Sequence, residues 1–384
     1  MTKVIPVRHV ILNHCNAQEH VQLYSLHDLK SFLVFIGCKE QHASRVAVLV
    51  CDQFAKTANH PVGLADFLAA IQQTLLQFKY NKTPSDLSVG WKIKSHQQSV
   101  VILLGGTSGC GKSTLASLLA QRIGINTVLS TDNVRQLLRN YYSKEVHPVL
   151  WASSYHCSEG LYTGSDDEQG VITGFEEQSN LVCGRINDII DNYNARRESL
   201  IIEGVHLSID NMRNLANRHQ NCIPFLIHIS NQAKHTERFA IRGKYMTLEP
   251  RKNKYVKYFK NIRLIQEHLG LEADEWQIPK VDNTNVDRSL AILHLTLISV
   301  LSILEANPSK SLVDVDGRFT LLNSEFMKVH REMWSSKKML RRIKENASHP
   351  LRIDALQPSW PGEDDNDGPE IINLDHVAWG SLAS

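Results

Sequence analysis

An α/β fold is what this sequence predicts: a parallel sheet with flanking helices, preceded by a small, mainly helical module. Three observations carry the prediction. From residue 100 onward, short apolar runs alternate with stretches of helical periodicity, the arrangement that builds parallel sheets. A glycine-rich turn separates the first of those runs from the first helix. The ionisable residues Asp132 and Glu203 stand at the ends of two later runs, where the ligand crevice of such a sheet lies.

Residues 1–80 have an apolar pattern of their own. A β-like opening at 4–12 precedes three helical stretches. The first carries Leu26, Leu29, Phe32, Leu33 and Ile36 and closes at Gly37. The second carries Ala43, Val46, Ala47, Val50 and Phe54. The third carries Phe67, Leu68, Ile71, Leu75 and Leu76. Residues 81–98 are polar and interrupted by Pro84 and Gly90, which predicts a linker between a unit at 1–90 and a second at 98–306. In the second unit, 100–104 reads as a strand and 113–123 as a helix ended by Gly124. A strand at 126–130, a helix from Asn133, and strands at 199–204 and 224–230 follow. An insertion at 143–198 contains Ser153, Ser154, Tyr155 and His156, then Gly174, Phe175 and Gln178. These suit a substrate-selecting subdomain, and spacing alone fits ordinary packing equally well. Residues 307–384 form an extension with a hairpin-like turn around Gly317 and an amphipathic helix (Phe326, Val329, Met333, Leu340, Ile343). It ends in an acidic tail at 362–370.

Composition narrows the function classes. The 42 Lys and Arg against 40 Asp and Glu leave a formal charge of +2, which argues against a nucleic-acid wrapper. The seven cysteines are scattered and never spaced C-x-x-C, so neither a disulfide framework nor a structural zinc site is indicated. Residues 289–304 are uncharged and apolar but contain His294, Thr296, Ser299 and Ser302; a core helix fits better than a membrane span. Pro6, Arg8 and His9 break up the apolar opening, unlike a secretory leader. The expectation is a reduced, cytoplasmic chain without a membrane partner.

The sharpest motif is Gly106, Thr107, Ser108, Gly109, Cys110, Gly111, Lys112 and Ser113, followed by Thr114, a full match to G-x-x-x-x-G-K-[ST] between a strand and a helix. Glycines let backbone N–H groups curl around phosphates, and the helix N-terminus adds its positive dipole end. Lys112 is placed to reach the β- and γ-phosphates, and the Ser113 hydroxyl to ligate Mg²⁺. The sheet is therefore read as that of a P-loop NTPase, with ATP and Mg²⁺ bound.

Three further sites surround this one. In Ser130-Thr131-Asp132-Asn133-Val134-Arg135, Asp132 can take a proton from an attacking hydroxyl or help hold Mg²⁺, and Arg135 can clamp an anion. Helix capping by Thr131 or Asp132 is the plain alternative. Glu203 ends the third apolar strand, where an acid can orient a Mg²⁺-bound water. Gly204 allows close backbone approach, and His206 either faces a substrate or is a satisfied strand-end residue. Residues 234–263 hold ten Lys and Arg against two Glu, placed where small P-loop kinases carry an Arg-bearing lid. Arg238 and Arg242, four apart, are its candidates for stabilising transition-state charge; a solvated face or an RNA-binding patch are the alternatives.

Taken together, residues 100–305 resemble the 2-phosphoglycerate kinase family and the related plant low-phytic-acid P-loop proteins. The resemblance runs through GGTSGCGKST, STDNVR, the SSY and GF-x-x-Q pieces, IIEGVH, RFAIRGKYM with KNKYVKYFKNIR, and VDNTNVDRS. Residues 1–80 resemble the N-terminal ATP-cone module of those kinases, with Asn13-His14-Cys15-Asn16 where a nucleotide-binding cone carries a basic, Gly-containing opening. The resemblance implies ATP-dependent phosphorylation of a hydroxyl on a small anionic substrate, either 2-phosphoglycerate or, as in the plant group, inositol or its phosphates. On this reading Lys112, Asp132, Arg238 and Arg242 are catalytic. Arg135, Glu203 and His206 face the substrate, and Ser113, Asp132 and Glu203 organise Mg²⁺. A polynucleotide 5′-hydroxyl kinase and a nucleotide sensor without turnover are the rivals.

Overall fold

The computed structural model of the chain describes residues 9–14, 20–55, 61–157, 168–245 and 257–333. Its centre is a five-stranded parallel sheet of β4 (Val101–Gly105), β5 (Val128–Ser130), β6 (Leu200–Gly204), β7 (Cys222–His228) and β8 (Lys280–Asp282). The strand order is β5-β6-β4-β7-β8. Every residue of β4 and β6 is buried, so these strands read as unbroken apolar runs rather than alternating ones. Register aligns the carboxyl ends: Gly105 pairs with Gly204, and Glu203 faces Ser130. Helices α5 (Lys112–Ile123), α6 (Thr131–Leu138), α7 (Glu168–Ala195), α8 (Ile209–Arg218), α9 (Gln232–Tyr245) and α10 (Phe259–Glu275) connect and flank the strands. His268 of α10 reaches Glu176 of α7 at 2.9 Å and joins the two.

The predicted strands at 100–104, 126–130, 199–204 and 224–230 correspond to β4 to β7, with no end shifted by more than two residues. Strand β8 was not predicted.

The N-terminal residues contain more sheet than their helical periodicity predicts. Strands β1 (His9–His14) and β2 (His20–Ser25) form an antiparallel hairpin, and β3 (Val62–Gly63) joins β1 in parallel. Three helices follow the predicted apolar stretches: α1 (Leu26–Phe35), α2 (Glu40–Ala55) and α3 (Leu64–Gln77).

The linker expected at 81–98 is a helix, α4 (Pro84–Lys94). Its polar start is a capping box: the Thr83 hydroxyl accepts from the Asp86 amide, the Asp86 carboxylate accepts from the Thr83 amide, and Pro84 occupies the first turn. Gly90 is a packing residue rather than a breaker, since a Cβ there would stand 2.6 Å from Ile36. Leu87, Val89, Trp91 and Ile93 are buried, and the Trp91 ring lies 5.0 Å from that of Tyr24.

No separable unit ends near residue 90. The helix α11 (Val286–Ala306), though long and apolar enough to cross a membrane, is the core helix of the fold and packs on α4, α5 and α12 (Thr320–Glu332). Its His294 donates from Nε2 to the Phe35 carbonyl at 2.7 Å, and its Ser302 hydroxyl donates to Asp86 at 2.5 Å. Glu305 accepts from Ser88 and Lys92 at 2.7 and 2.6 Å. One apolar core runs from Val10 through the sheet to Val329. The hairpin-like segment near Gly317 is a tight turn closed by the Asp314 amide on the Arg318 carbonyl at 2.9 Å. Leu340, Ile343 and the acidic tail lie outside the described residues.

Two outcomes follow from the shared core. Residues 96–384 expressed alone should be insoluble or molten, because removing α1 and α4 bares the apolar faces of α5 and α11. A soluble fragment with a cooperative thermal transition would contradict this. Burial also pulls the His294 pKa from 6.5 down to about 4. Between those values the unfolded chain takes up a proton that the folded chain refuses. Stability attributable to His294 is therefore complete above pH 6.5 and falls by about 1.4 kcal/mol per pH unit below it. His294→Gln, which keeps a donor for the Phe35 carbonyl, should reduce the pH slope of stability in urea unfolding between pH 6.5 and 4.5 by that amount, about 1.4 kcal/mol per pH unit. An unchanged slope would mean that the imidazole protonates within the fold.

Candidate active site

The loop from Gly106 to Gly111 leaves β4 and turns into α5. Gly106 has φ +140°, and a Cβ there would collide with the Ile227 carbonyl of β7, so only glycine fits. Lys112 is 8% exposed, and its Nζ donates to the Thr107 carbonyl at 2.8 Å. The Thr107 and Cys110 side chains are wholly buried, and burial pushes the Cys110 thiol pKa up. From behind, the Cys110 carbonyl accepts from Asn283 Nδ2 at 2.8 Å and from an Arg238 guanidinium nitrogen at 3.3 Å. Ser108 is held on two sides: its amide donates to the Tyr155 hydroxyl at 2.5 Å, and its carbonyl accepts from His235 Nε2 at 2.9 Å.

At the adjoining strand ends, the Ser113 hydroxyl donates to Glu203 Oε1 at 3.0 Å, and Glu203 is 6% exposed. Gly204 admits Thr131, whose hydroxyl would collide with a Cβ at that position. The Thr131 hydroxyl meets His206 Nδ1 at 2.8 Å, and His206 Nε2 lies 3.0 Å from Gln178 Oε1. Gln178 Oε1 also accepts from the Ser154 hydroxyl at 2.6 Å and from Arg135 at 3.3 Å. Gln178 Nε2 donates to the Val149 and Ala152 carbonyls. Burial lowers the His206 pKa to about 3, so the ring is neutral, with Nε2 donating to Gln178 and Nδ1 accepting from Thr131.

Asp132 opens the first turn of α6 with its side chain 60% exposed, 3.4 Å from an Arg135 guanidinium nitrogen. The residue flanking the helix is Ser130, and the Thr131 hydroxyl is engaged by His206, so neither Thr131 nor Asp132 is placed as the cap. One turn on, Arg139 Nε donates to the Leu150 carbonyl at 2.8 Å, and its guanidinium lies 5.4 Å from the Trp151 ring centre.

The strand ends thus bring Lys112, Ser113, Glu203, Asp132 and Arg135 to one edge of the sheet. Two expectations need correction. His206, expected at the substrate, is fully buried and forms the wall behind Arg135. Arg238, expected to face transferring phosphate, directs its guanidinium to the carbonyls of Cys110 and Asn283 and braces the loop. Arg242 lies on α9, with its side chain outside the described part, as are Arg251, Lys252 and Lys254. Missed as site residues were Gln178, Ser154, Tyr155, His235 and Asn283. All five lie in pieces that the sequence singles out: SSY, GF-x-x-Q, the basic segment 234–263 and VDNTNVDRS, where Asn283 follows the unpredicted β8.

Strand order, glycine loop and buried lysine together define a P-loop kinase fold. The Zeta toxin family model matches residues 88–160. Over 281 residues the chain is 46% identical to an uncharacterized protein of Dictyostelium discoideum, a match covering 72% of this chain and 33% of that protein. It therefore spans about a third of that relative. It is 30% identical over 258 residues to the 2-phosphoglycerate kinase of Methanocaldococcus jannaschii, covering 67% of this chain and 82% of that one. With the 2-phosphoglycerate kinase of Methanopyrus kandleri it shares 29% over 260 residues, covering 67% and 78%. A shikimate kinase from Acinetobacter baumannii solved with shikimate aligns at a TM-score of 0.32 and 18% identity, covering 57% of this chain and 99% of that one. The chain belongs to the 2-phosphoglycerate kinase family.

Replacing Gln178 by Leu keeps volume but takes the side-chain donor from the Val149 and Ala152 carbonyls and leaves the His206 N–H only the Ser154 hydroxyl at 3.3 Å. Stability should fall by roughly 3 kcal/mol in denaturant unfolding. A loss below about 1 kcal/mol would mean the network relaxes onto other partners.

Proposed function

We propose that this protein is an ATP- and Mg²⁺-dependent cytoplasmic kinase that phosphorylates a hydroxyl of a small anionic metabolite. The first candidate is 2-phosphoglycerate, giving 2,3-bisphosphoglycerate. The observation that carries this reading is the shared strand edge, where a phosphate loop, a buried carboxylate and an Asp–Arg pair meet.

Lys112 and the loop amides hold the triphosphate, the lysine turning from the Thr107 carbonyl to the β- and γ-phosphate oxygens. The Ser113 hydroxyl and Glu203 carboxylate are hard oxygen donors that fit Mg²⁺, with Asp132 a third. Bound there, the ion would neutralise phosphate charge. Asp132 takes the proton of the acceptor hydroxyl as that oxygen bonds to the γ-phosphorus. The bond from the γ-phosphorus to the β–γ bridging oxygen breaks, and ADP leaves. Arg238 acts at one remove, keeping the Cys110 carbonyl turned away from the phosphates.

An anionic acceptor suits Arg135 on α6 and Arg139 at its C-terminal cap, four residues apart. Burial and the charge of Arg135 both disfavour the charged state of Arg139, with only Asp132 acting the other way. A carboxylate or phosphate beside the pair relieves that repulsion and matches the guanidinium fork.

The test is phosphoryl transfer from Mg-ATP by the full chain to 2-phosphoglycerate, inositol, inositol phosphates and a 5′-hydroxyl oligonucleotide. Transfer to 2-phosphoglycerate is expected, and Lys112→Ala should lower kcat by about 10²–10³ with native circular dichroism. Transfer only to the oligonucleotide or to neutral inositol would overturn the acceptor assignment. Near-normal turnover by Lys112→Ala would overturn the site.

A further inference from the structure

One segment of the insertion touches the phosphate loop directly. The Tyr155 hydroxyl accepts the Ser108 amide hydrogen, and Tyr155 is itself buried and fixed. Its carbonyl accepts from Asn261 Nδ2 of α10 at 2.8 Å, and the next ring, His156, stacks on Tyr258 at 4.2 Å and 9°. On the other side of the loop, His235 Nε2 holds the Ser108 carbonyl, and a Cβ at Gly109 would stand 2.6 Å from Phe239. Ser108 is therefore clamped between the insertion and α9, two elements remote from it in sequence.

The residue before Tyr155 belongs to the other half of the site. The Ser154 hydroxyl donates to Gln178 and accepts from Arg135 at 3.2 Å. Adjacent side chains thus touch the phosphate loop and the Arg135 network. On the kinase reading, the transferable phosphoryl group must face an acceptor held by Arg135, and Ser108 is the loop residue tied to the segment that holds Arg135.

We propose that Tyr155 is a positioning residue that reads the terminal phosphoryl group of a bound nucleoside triphosphate and passes its presence through Ser154 to Arg135. The proposal rests on the kinase reading, in which this loop is the triphosphate site. The Ser108 amide has one hydrogen. A phosphoryl oxygen cradled by the loop competes with the Tyr155 oxygen for it. A phenol both accepts and donates, so Tyr155 responds by donating its O–H to the phosphoryl oxygen, a charge-assisted bond stronger than the one it yields. A nucleoside diphosphate, lacking the terminal group, does not trigger the exchange. Because Ser154 moves with its neighbour, the bonds that hold Arg135 differ between the two nucleotides. The acceptor clamp is then completed only when there is a phosphoryl group to transfer, as closure steps in kinases require.

Titration calorimetry of the full chain with Mg²⁺ and either the non-hydrolysable triphosphate AMP-PNP or ADP tests this. Tyr155→Phe keeps the ring and removes the hydroxyl. It should reduce the preference for AMP-PNP over ADP about tenfold, the effect of one hydrogen bond to a charged group, while leaving ADP binding little changed. If the variant binds both nucleotides with the wild-type preference, or both weaken equally, the Tyr155 proposal fails and the kinase reading stands. If the unaltered protein binds neither, the kinase reading fails and takes the proposal with it. Should Tyr155→Phe misfold, hydrogen exchange on the unaltered protein decides between the same outcomes. Residues 152–157 should gain protection with AMP-PNP that ADP does not reproduce, and equal protection by both would overturn the proposal.

Discussion

Because β4, β5 and β6 run parallel, Gly105, Ser130 and Glu203 end side by side, and the crevice depends on that register. A one-residue slip of β6 would send Glu203 to the opposite face of the sheet and separate it from Ser113. The same slip would replace Gly204 opposite Thr131 by a residue with a Cβ, where there is no room for one. The register is protected by burial: all five residues of β4 and of β6 are buried, α5, α6 and α8 pack on them, and α5 is in turn backed by α1 and α11. The packing that includes the N-terminal residues and the geometry at the strand ends are therefore parts of one constraint.

A second feature is the buried polar wall behind Arg135. An apolar wall would have left Thr131, His206, Gln178 and Ser154 without purpose and would have let the arginine side chain choose among rotamers. Here Gln178 makes use of both ends of its amide. Its nitrogen ties down two carbonyls of the insertion, and its oxygen collects Ser154, His206 and Arg135. The arrangement requires a neutral histidine, since a charged ring would present two donors and could not accept from Thr131. Burial keeps it neutral. Fully satisfied buried networks specify one geometry more strictly than apolar contacts do, at the risk of a large penalty when one member is lost.

What the sequence revealed depended on how far apart the cooperating residues lie. The phosphate loop is contiguous, and its chemistry was legible from eight residues. Glu203 and Asp132 were legible because each ends an apolar run. His206 was misplaced because its partners, Thr131 and Gln178, are 75 and 28 residues away, and nothing local distinguishes a satisfied histidine from one that faces substrate. Arg238 was misassigned for the same reason, since its carbonyl acceptors lie on the loop and beyond β8. The error at 81–98 was different in kind. Thr83, Pro84 and Asp86 are polar helix starters that also fit a linker composition, and Gly90 looked like a breaker because the residues it packs against, Phe32 and Ile36, come from another helix.

The phosphate loop is short, but its shape is not its own. Ile227 backs Gly106, His235 and Tyr155 hold Ser108, and Arg238 and Asn283 hold Cys110. These partners come from β7, α9, the insertion and the segment after β8, with α9 supplying two of the five. Preorganised backbone amides are effective only if they do not have to reorganise when charge arrives. A loop of this glycine content, with positive φ at Gly106, Gly109 and Gly111, would be mobile in isolation. The chain supplies the missing rigidity from outside: Tyr155 of the insertion and His235 of α9 hold Ser108, while Arg238 of α9 and Asn283 hold Cys110. A shift in the insertion would therefore act on the loop at Ser108, while Arg238 and Asn283 keep Cys110 fixed. This asymmetry allows one end of a phosphate site to respond to its neighbour without loosening the grip of the rest.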